Sequence, residues 1–135
     1  MDPEELKQRT KFFGLRVIKL VGALPKDIIG RELGRQLVMA GTSVGANYRA
    51  ACRARSRAEF VAKVGVVEEE ADESAYWIEM IVAAGIVPLR RVAALLKEAD
   101  ELVAIMASSR ISASTRRAAG FRPRSNRQSA IGNRQ

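Results

Sequence analysis

Residues 41–60, GTSVGANYRAACRARSRAEF, contain the end of one predicted helix and the start of the next. Gly41 and Gly45 are four positions apart, so they lie on one side of a helix. Each glycine costs about 1 kcal/mol of helix propensity relative to alanine, so we expect a neighbouring helix to approach closely here. The alternative is that one of these glycines ends the helix.

The same stretch marks where the next helix starts. Ser56 and Glu59 have the spacing of a capping box, which predicts a hinge at about residues 54–56. The preceding helix is predicted from about Lys26 to Arg53. At 100° per residue, its core-facing positions are Leu33, Leu37, Ala40, Val44, Asn47 and Ala51.

Three further amphipathic helices surround this one. A capping box at Asp2 and Glu5 starts the first, and Pro25 ends it. The apolar positions predicted to face the core are Leu6, Phe13, Val17, Leu20 and Leu24 in the first helix, Phe60, Val64, Val67, Ala71, Ser74 and Ile78 in the third, and Val92, Leu96, Ala99, Val103 and Met106, flanked by Leu95 and Leu102, in the fourth. The pattern predicts an all-α protein, an up-and-down antiparallel four-helix bundle over residues 1–109.

The net charge of +8 is concentrated near the C-terminus. Residues 1–109 carry 16 Lys and Arg against 15 Asp and Glu, whereas residues 110–135 carry 7 arginines and no acid. Because residues 110–135 also lack regular apolar spacing, we expect a disordered basic tail there.

Several classes of activity have no support in the residues. Histidine is absent, and no glycine-rich nucleotide loop follows a strand. Glu69 and Glu73 are four apart, but a diiron bundle site would need inward-facing Glu-x-x-His pairs. We therefore predict no catalytic, cofactor or metal site and a protein that is not an enzyme. A nuclease acting on RNA is the enzymatic alternative, and it would need clustered acids holding a divalent cation.

Cysteine usage and hydropathy bear on the compartment. Cys52 is the one cysteine, and the chain begins without a signal-peptide pattern, so we expect a cytoplasmic protein. The longest charge-free run, residues 80–89, is about half of what a membrane-spanning helix requires. No membrane partner is predicted.

Two polar residues fall near the predicted core. Asn47 lies on the core-facing side of helix two, and Ser43 precedes it by one turn. We interpret them as a polar core pair, with Asn47 bonding across the core to fix helix register. Direct contact with a ligand is the alternative.

An arginine face lies opposite the core side of helix two, without a carboxylate in it. Its candidate nucleic-acid-binding residues are Arg31, Arg35, Arg49 and Arg53, continued by Arg55 and Arg57. They could contact RNA or DNA phosphates. Alternatively, they meet the acidic flank of helix three, within the bundle or on a neighbouring copy.

Three large side chains fall off the predicted core side of helix three. They are Tyr76, Trp77 and Met80. Because one bundle core cannot bury them all, they are the candidate oligomer interface.

The segment QLVMAGTSVGANYRAACRARSRAEFVAKVGVVEEEADESAYWIEMI, residues 36–81, resembles the four-helix-bundle proteins encoded in intervening sequences of bacterial 23S ribosomal RNA genes. The similarity covers about residues 6–109. It is most specific at residues 42–49, followed by 54–56 and 59–60, and residues 73–77 agree as well.

The resemblance implies a left-handed bundle that assembles as a homopentamer. The family includes the accessory protein of diversity-generating retroelements, which associates with a reverse transcriptase and with nucleic acid. The expected function is thus that of an RNA- or DNA-associated accessory factor. The alternative is a pure oligomerisation or protein-interaction module, for example a reverse transcriptase partner, that binds no nucleic acid itself.

Overall fold

The computed structural model describes residues 1–115, which form four α-helices in up-and-down order. They are α1 (Pro3–Gly22), α2 (Ile28–Ala51), α3 (Arg57–Ala83) and α4 (Leu89–Thr115). Each helix packs along its length against the next one in the chain. The predicted all-α bundle is confirmed, and residues 1–115 contain no strand.

Side-chain caps fix where three of the helices begin. Asp2 accepts a hydrogen bond from the backbone N–H of Glu5 at 2.8 Å, and the Glu5 carboxylate accepts one from the Asp2 N–H at 3.1 Å. Ser56 accepts from the Glu59 N–H at 3.0 Å, so the predicted hinge before α3 is confirmed. Asp27 caps α2 by accepting from Gly30, and this cap starts the helix at Ile28, two residues later than predicted.

Buried positions recur with alternating spacings of three and four residues. In α3 they are Val64, Val67, Ala71, Ser74, Ile78 and Ile81, and in α4 they are Val92, Leu95, Ala99, Leu102 and Met106. A seven-residue repeat of this kind winds neighbouring helices into a left-handed supercoil.

The buried face of α4 differs from the prediction. Leu95 and Leu102 are buried, whereas Leu96 and Val103 are only partly buried. Leu95 and Leu102 lie on the same side of α4 as Glu98, which bonds to α1. The seven-residue spacing of apolar residues in α4 does not by itself show which side of α4 faces α1.

Glycines bring α1 and α2 close together. A methyl group built onto Gly41 would lie 2.8 Å from both methyl carbons of Val17, and one on Gly45 would lie 3.3 Å from the backbone of Thr10. The predicted close approach is confirmed. Because α2 continues through both glycines, the alternative that one of them ends the helix is wrong.

Helices α1 and α4 approach each other at few points. An ion-pair cluster joins them: the Arg9 guanidinium donates to Glu98 through Nε at 2.7 Å and Nη2 at 2.8 Å, and to Glu101 through Nη2 at 2.7 Å. The hydrogen bonds to Glu98 are the main cause of a raised Arg9 pKa.

Helix α4 extends six residues beyond the predicted boundary at residue 109. Arg110 donates from Nε to Glu68 of α3 at 2.8 Å, and Ala113 is buried, so residues 110–115 belong to the bundle. The rest of the predicted tail, residues 116–135, lies outside the described residues. No helix within residues 1–115 has the length and apolar character needed to cross a membrane.

Candidate nucleic-acid interface

The predicted arginine face lies on the outside of α2, as expected from its position opposite the core. Arg31, Arg35, Arg49 and Arg53 are all exposed. Arg55 is exposed in the connection to α3, and Arg57 is the first residue of α3 and partly buried.

These six arginines form two groups and not one continuous face. Arg35 and Arg49 are fourteen positions apart along one helix, which separates them by about 21 Å at 1.5 Å per residue. Arg31 and Arg35 therefore lie in one group, and Arg49 begins the other.

The group at the start of α2 contains a carboxylate, so the prediction of a face without acids is wrong there. Arg35 donates to Glu32 at 3.0 Å, and the Gln36 amide donates to the same carboxylate at 2.9 Å. The hydrogen bond from Gln36, followed by the contact with Arg35, lowers the pKa of Glu32. Glu32 thus stays ionised and partly neutralises this group.

The group at the end of α2 gains lysines from α1. Since the two helices are antiparallel, the first turns of α1 lie beside the last turns of α2, and a groove of about 530 Å³ between them is lined by Lys7, Lys11 and Arg49. Lys7 lies 3.4 Å from Glu4, but Lys11 and Arg49 form no ion pair with any residue in the range 1–115. We call Lys7, Lys11, Arg49, Arg53, Arg55 and Arg57 the basic end.

Lys7 and Lys11 were not predicted as site residues. Their proximity to Arg49 follows from the antiparallel packing of α1 on α2, which a residue-by-residue search for charge patterns does not include. The sequence could have indicated this proximity. The connections between α1 and α2 and between α2 and α3 are short, and a short connection places consecutive helices side by side.

The two helical hairpins carry opposite net charge. Residues 1–56 contain 11 Lys and Arg against 5 Asp and Glu, a net of +6. Residues 57–115 contain 6 against 10, a net of −4. On α3, burial raises the pKa of Glu70, and the nearby charges of Glu73 and Glu69 raise it further. The excess of carboxylates on α3 is therefore incompletely neutralised.

Ser43 and Asn47 do not form the predicted link across the core. Both are partly buried, and the Asn47 amide donates to the Ser43 carbonyl of its own helix at 2.8 Å. Ser43 likewise donates to the Met39 carbonyl at 2.6 Å. The prediction that Asn47 sets register across the core is wrong because its donor is satisfied within α2.

Two other residues supply the polar groups of the core. Thr10 and Ser74 are fully buried. Each hydroxyl donates to a carbonyl one turn earlier in its own helix, Thr10 to Leu6 at 2.9 Å and Ser74 to Glu70 at 2.8 Å. These hydrogen bonds let small polar side chains occupy the core without an unsatisfied donor.

The three candidate interface residues on α3 differ in exposure. Tyr76 is 51% exposed and Met80 is 38% exposed. Trp77 packs against the core and donates from its indole N–H to Glu73 at 3.1 Å, with the Tyr76 ring edge-on at 5.0 Å. The bundle thus accommodates Trp77 but leaves Tyr76 and Met80 at the surface.

The described part of the chain shows no arrangement suited to metal chemistry. In residues 1–115 no three side chains of His, Cys, Asp or Glu converge at a distance suitable for a metal ion.

Comparisons with known proteins identify one family. The family model described as 23S rRNA-intervening sequence protein matches residues 4–108. A crystal structure of a protein of unknown function from the S23 ribosomal protein family of Bacteroides thetaiotaomicron is similar, with a TM-score of 0.71 and 25% identity, covering 82% of this chain and 98% of that one. No curated protein matches the chain.

Proposed function

The chain belongs to the family of 23S rRNA-intervening sequence proteins, and from that premise we propose that it is a homo-oligomeric, non-enzymatic accessory protein that binds RNA or DNA. The basic end supplies the contacts to phosphate. The observation that carries this proposal is that Arg53 and Arg55 are exposed and have no ion pair with any residue in the range 1–115. Arg53 lies one turn after Arg49, at the end of α2 next to the groove.

The charges of the basic end are available to a ligand. Lys11, Arg49, Arg53 and Arg55 have no carboxylate within ion-pair distance among residues 1–115. Phosphate contacts by such residues release counterions, and binding then weakens steeply with added salt. Residues 116–135 add six arginines and no acid. Helix α4 ends at the same end of the bundle as the α2–α3 hinge.

A binding experiment with the full chain tests the proposal. Fluorescence anisotropy would compare Arg53→Ala with Arg55→Ala, as a double variant, against the matched control Arg90→Ala with Arg91→Ala. Both doubles remove two exposed positive charges, but the control removes them from the N-terminus of α4. We expect the first double to lose about tenfold or more in affinity for structured RNA or duplex DNA, and to lower the salt slope by about two.

Two results would contradict binding by the bundle. If both doubles weakened binding equally, the effect would be one of net charge and not of a site. If neither did, the arginines of residues 116–135 would account for any affinity.

A second candidate is a protein-interaction module without nucleic-acid binding, such as a reverse transcriptase partner. The exposed Tyr76 and Met80 on α3 favour it, since large apolar surface side chains are typical of protein contacts. Salt separates the two candidates. Contacts made by apolar side chains persist at 0.5 M salt, at which phosphate contacts are largely lost.

A further inference from the structure

We propose that the outer face of α3 from one copy of the chain docks into the groove between α1 and α2 of a second copy. This inference rests on the homo-oligomer of the proposed function and adds which surfaces meet. Each chain carries both halves of the contact at different places on its surface.

The outer face of α3 has its own seven-residue repeat. It runs through Ala62, Val66, Glu69, Glu73, Tyr76, Met80 and Ala83, and all seven residues are exposed. Five of the seven are apolar, and Glu69 and Glu73 are the two acidic positions. A helix with apolar side chains on two opposite sides is suited to packing against other helices on both. Within residues 1–115 the other helices bury only the inner repeat of α3, which runs from Val64 to Ile81, and leave the outer repeat exposed.

The groove on the first hairpin has the shape to accept a helix. Its lining includes three small residues, Gly14, Gly45 and Ala46, and glycines bring α1 and α2 together there. Leu15 and Ile18 line one side and are 53% and 48% exposed. Small residues beside exposed aliphatic side chains form a surface on which a partner helix can pack closely.

Charge complementarity identifies the occupant as a second copy. The groove is lined by three cations, Lys7, Lys11 and Arg49, and by one carboxylate, Glu4, which lies 3.4 Å from Lys7. Its charged lining is therefore net positive, whereas Glu69 and Glu73 lie within the outer repeat of α3. A nucleic acid fits the interior of this groove less well, since Leu15 and Ile18 offer nothing to phosphate and no aromatic side chain lines it for base stacking. Nucleic acid would then contact Arg53, Arg55 and Arg57, which do not line the groove.

The proposed contact joins unlike surfaces, so it is heterologous. Such contacts propagate from copy to copy until a ring closes. They also permit a complementation test, because one chain can be disabled in the groove and another on the α3 face.

Light scattering after size exclusion would compare three double variants. The groove variant carries Leu15→Gln and Ile18→Gln, the α3 variant carries Tyr76→Gln and Met80→Gln, and the control carries Leu89→Gln and Ile111→Gln. All six side chains are exposed, and glutamine keeps helix propensity, so circular dichroism should show folded protein in each.

We expect the groove and α3 variants each to fall to the 14.8 kDa monomer, and the control to keep the mass of the unmodified oligomer. An equimolar mixture of the two disabled variants should yield a species of twice the monomer mass, because one intact groove meets one intact α3 face.

Three outcomes would overturn the inference. Disabled variants that keep the unmodified mass would refute these surfaces while leaving the oligomer of the proposed function standing. A mixture that stays monomeric would refute the pairing of unlike surfaces. A monomeric unmodified chain would refute both the docking and the proposed oligomer.

Discussion

The two helical hairpins solve the same packing problem in opposite ways. In α1–α2 the helices approach closely on glycines, and Gly41 sits against the methyl groups of Val17. In α3–α4 the space is filled by large side chains, including Ile78, Ile81 and Leu102, all fully buried. The first hairpin carries a net charge of +6 and the second −4.

This difference teaches how one small bundle can present two kinds of surface. In the first hairpin α1 and α2 pack closely on glycines, and the groove between them is lined by Lys7, Lys11 and Arg49. The second hairpin leaves an apolar and acidic repeat outside. Substitutions can test whether the first hairpin depends on close glycine packing and the second on large buried side chains.

Truncating a large side chain of the second hairpin should have the largest effect. Ile78→Ala would leave a cavity at a fully buried position of α3 and should lower the free energy of unfolding by about 2–5 kcal/mol. Urea denaturation followed by circular dichroism measures it. A loss below about 1 kcal/mol would mean that α3 and α4 readily collapse around the missing atoms.

Adding one methyl group to the first hairpin should also destabilise the protein. Gly41→Ala gains about 1 kcal/mol of helix propensity. However, the new carbon would lie 2.8 Å from two methyl carbons of the fully buried Val17, so we expect a net loss of about 1–3 kcal/mol. A thermal midpoint equal to that of the unmodified chain would contradict the close contact.

Removing the ion-pair cluster between α1 and α4 should cost less. Arg9→Leu leaves Glu98 without its main partner, and because the cluster is partly exposed we expect a loss of about 1–2 kcal/mol. The matched control is Arg110→Leu, which removes a pair from α3 and α4, where the helices pack along their length. An equal loss of unfolding free energy in both variants would show that the Arg9 cluster is no more important to the sparse α1–α4 contact than an ion pair between two extensively packed helices.

The same glycine substitution in the second hairpin should have the opposite sign. At Gly65 the nearest atom to an added methyl group is Arg110 Cδ at 3.7 Å, an ordinary contact. Gly65→Ala should therefore stabilise the protein by about 0.5–1 kcal/mol through helix propensity. A destabilised variant, measured by the same urea titration, would show that α3 and α4 also need close approach.

The smallest effect concerns the acidic cluster of α3. Burial, with help from Glu73 and Glu69, raises the pKa of Glu70, so its charged form is disfavoured in the folded protein. Its contribution to stability is present at low pH and is lost as pH rises through the raised pKa. Glu70→Gln should stabilise the protein at pH 7 by less than about 0.5 kcal/mol, with no gain at pH 3. A gain at pH 3 equal to that at pH 7 would exclude this cause.

Most of the fold could be predicted from local features of the sequence. Helix starts depend on caps such as Asp2 and Ser56, which act within four residues. The glycines of α2 were predictable because their cost in helix propensity needs a compensating contact. The buried face of α4 was not, since the burial of Leu95 and Leu102 depends on how the bundle closes.

The candidate site could be predicted only in part, for a similar reason. Arg49 and Arg53 were found as an outward face of one helix, but Lys7 and Lys11 join them through packing between helices. Asn47 was misplaced because helical spacing gives its angular position and not its hydrogen-bond partner. A side-chain donor one turn after a helix carbonyl, here that of Ser43, is satisfied within its own helix.

The sparse contact between α1 and α4 has a consequence for how fast the chain folds. Because close contacts join consecutive helices, most native interactions form between residues near in sequence. Proteins of such low contact order fold in microseconds to milliseconds, without a slow search for distant partners. We expect stopped-flow refolding to be largely complete within its dead time, and amide hydrogens near Arg9 to exchange before those of the α3–α4 core.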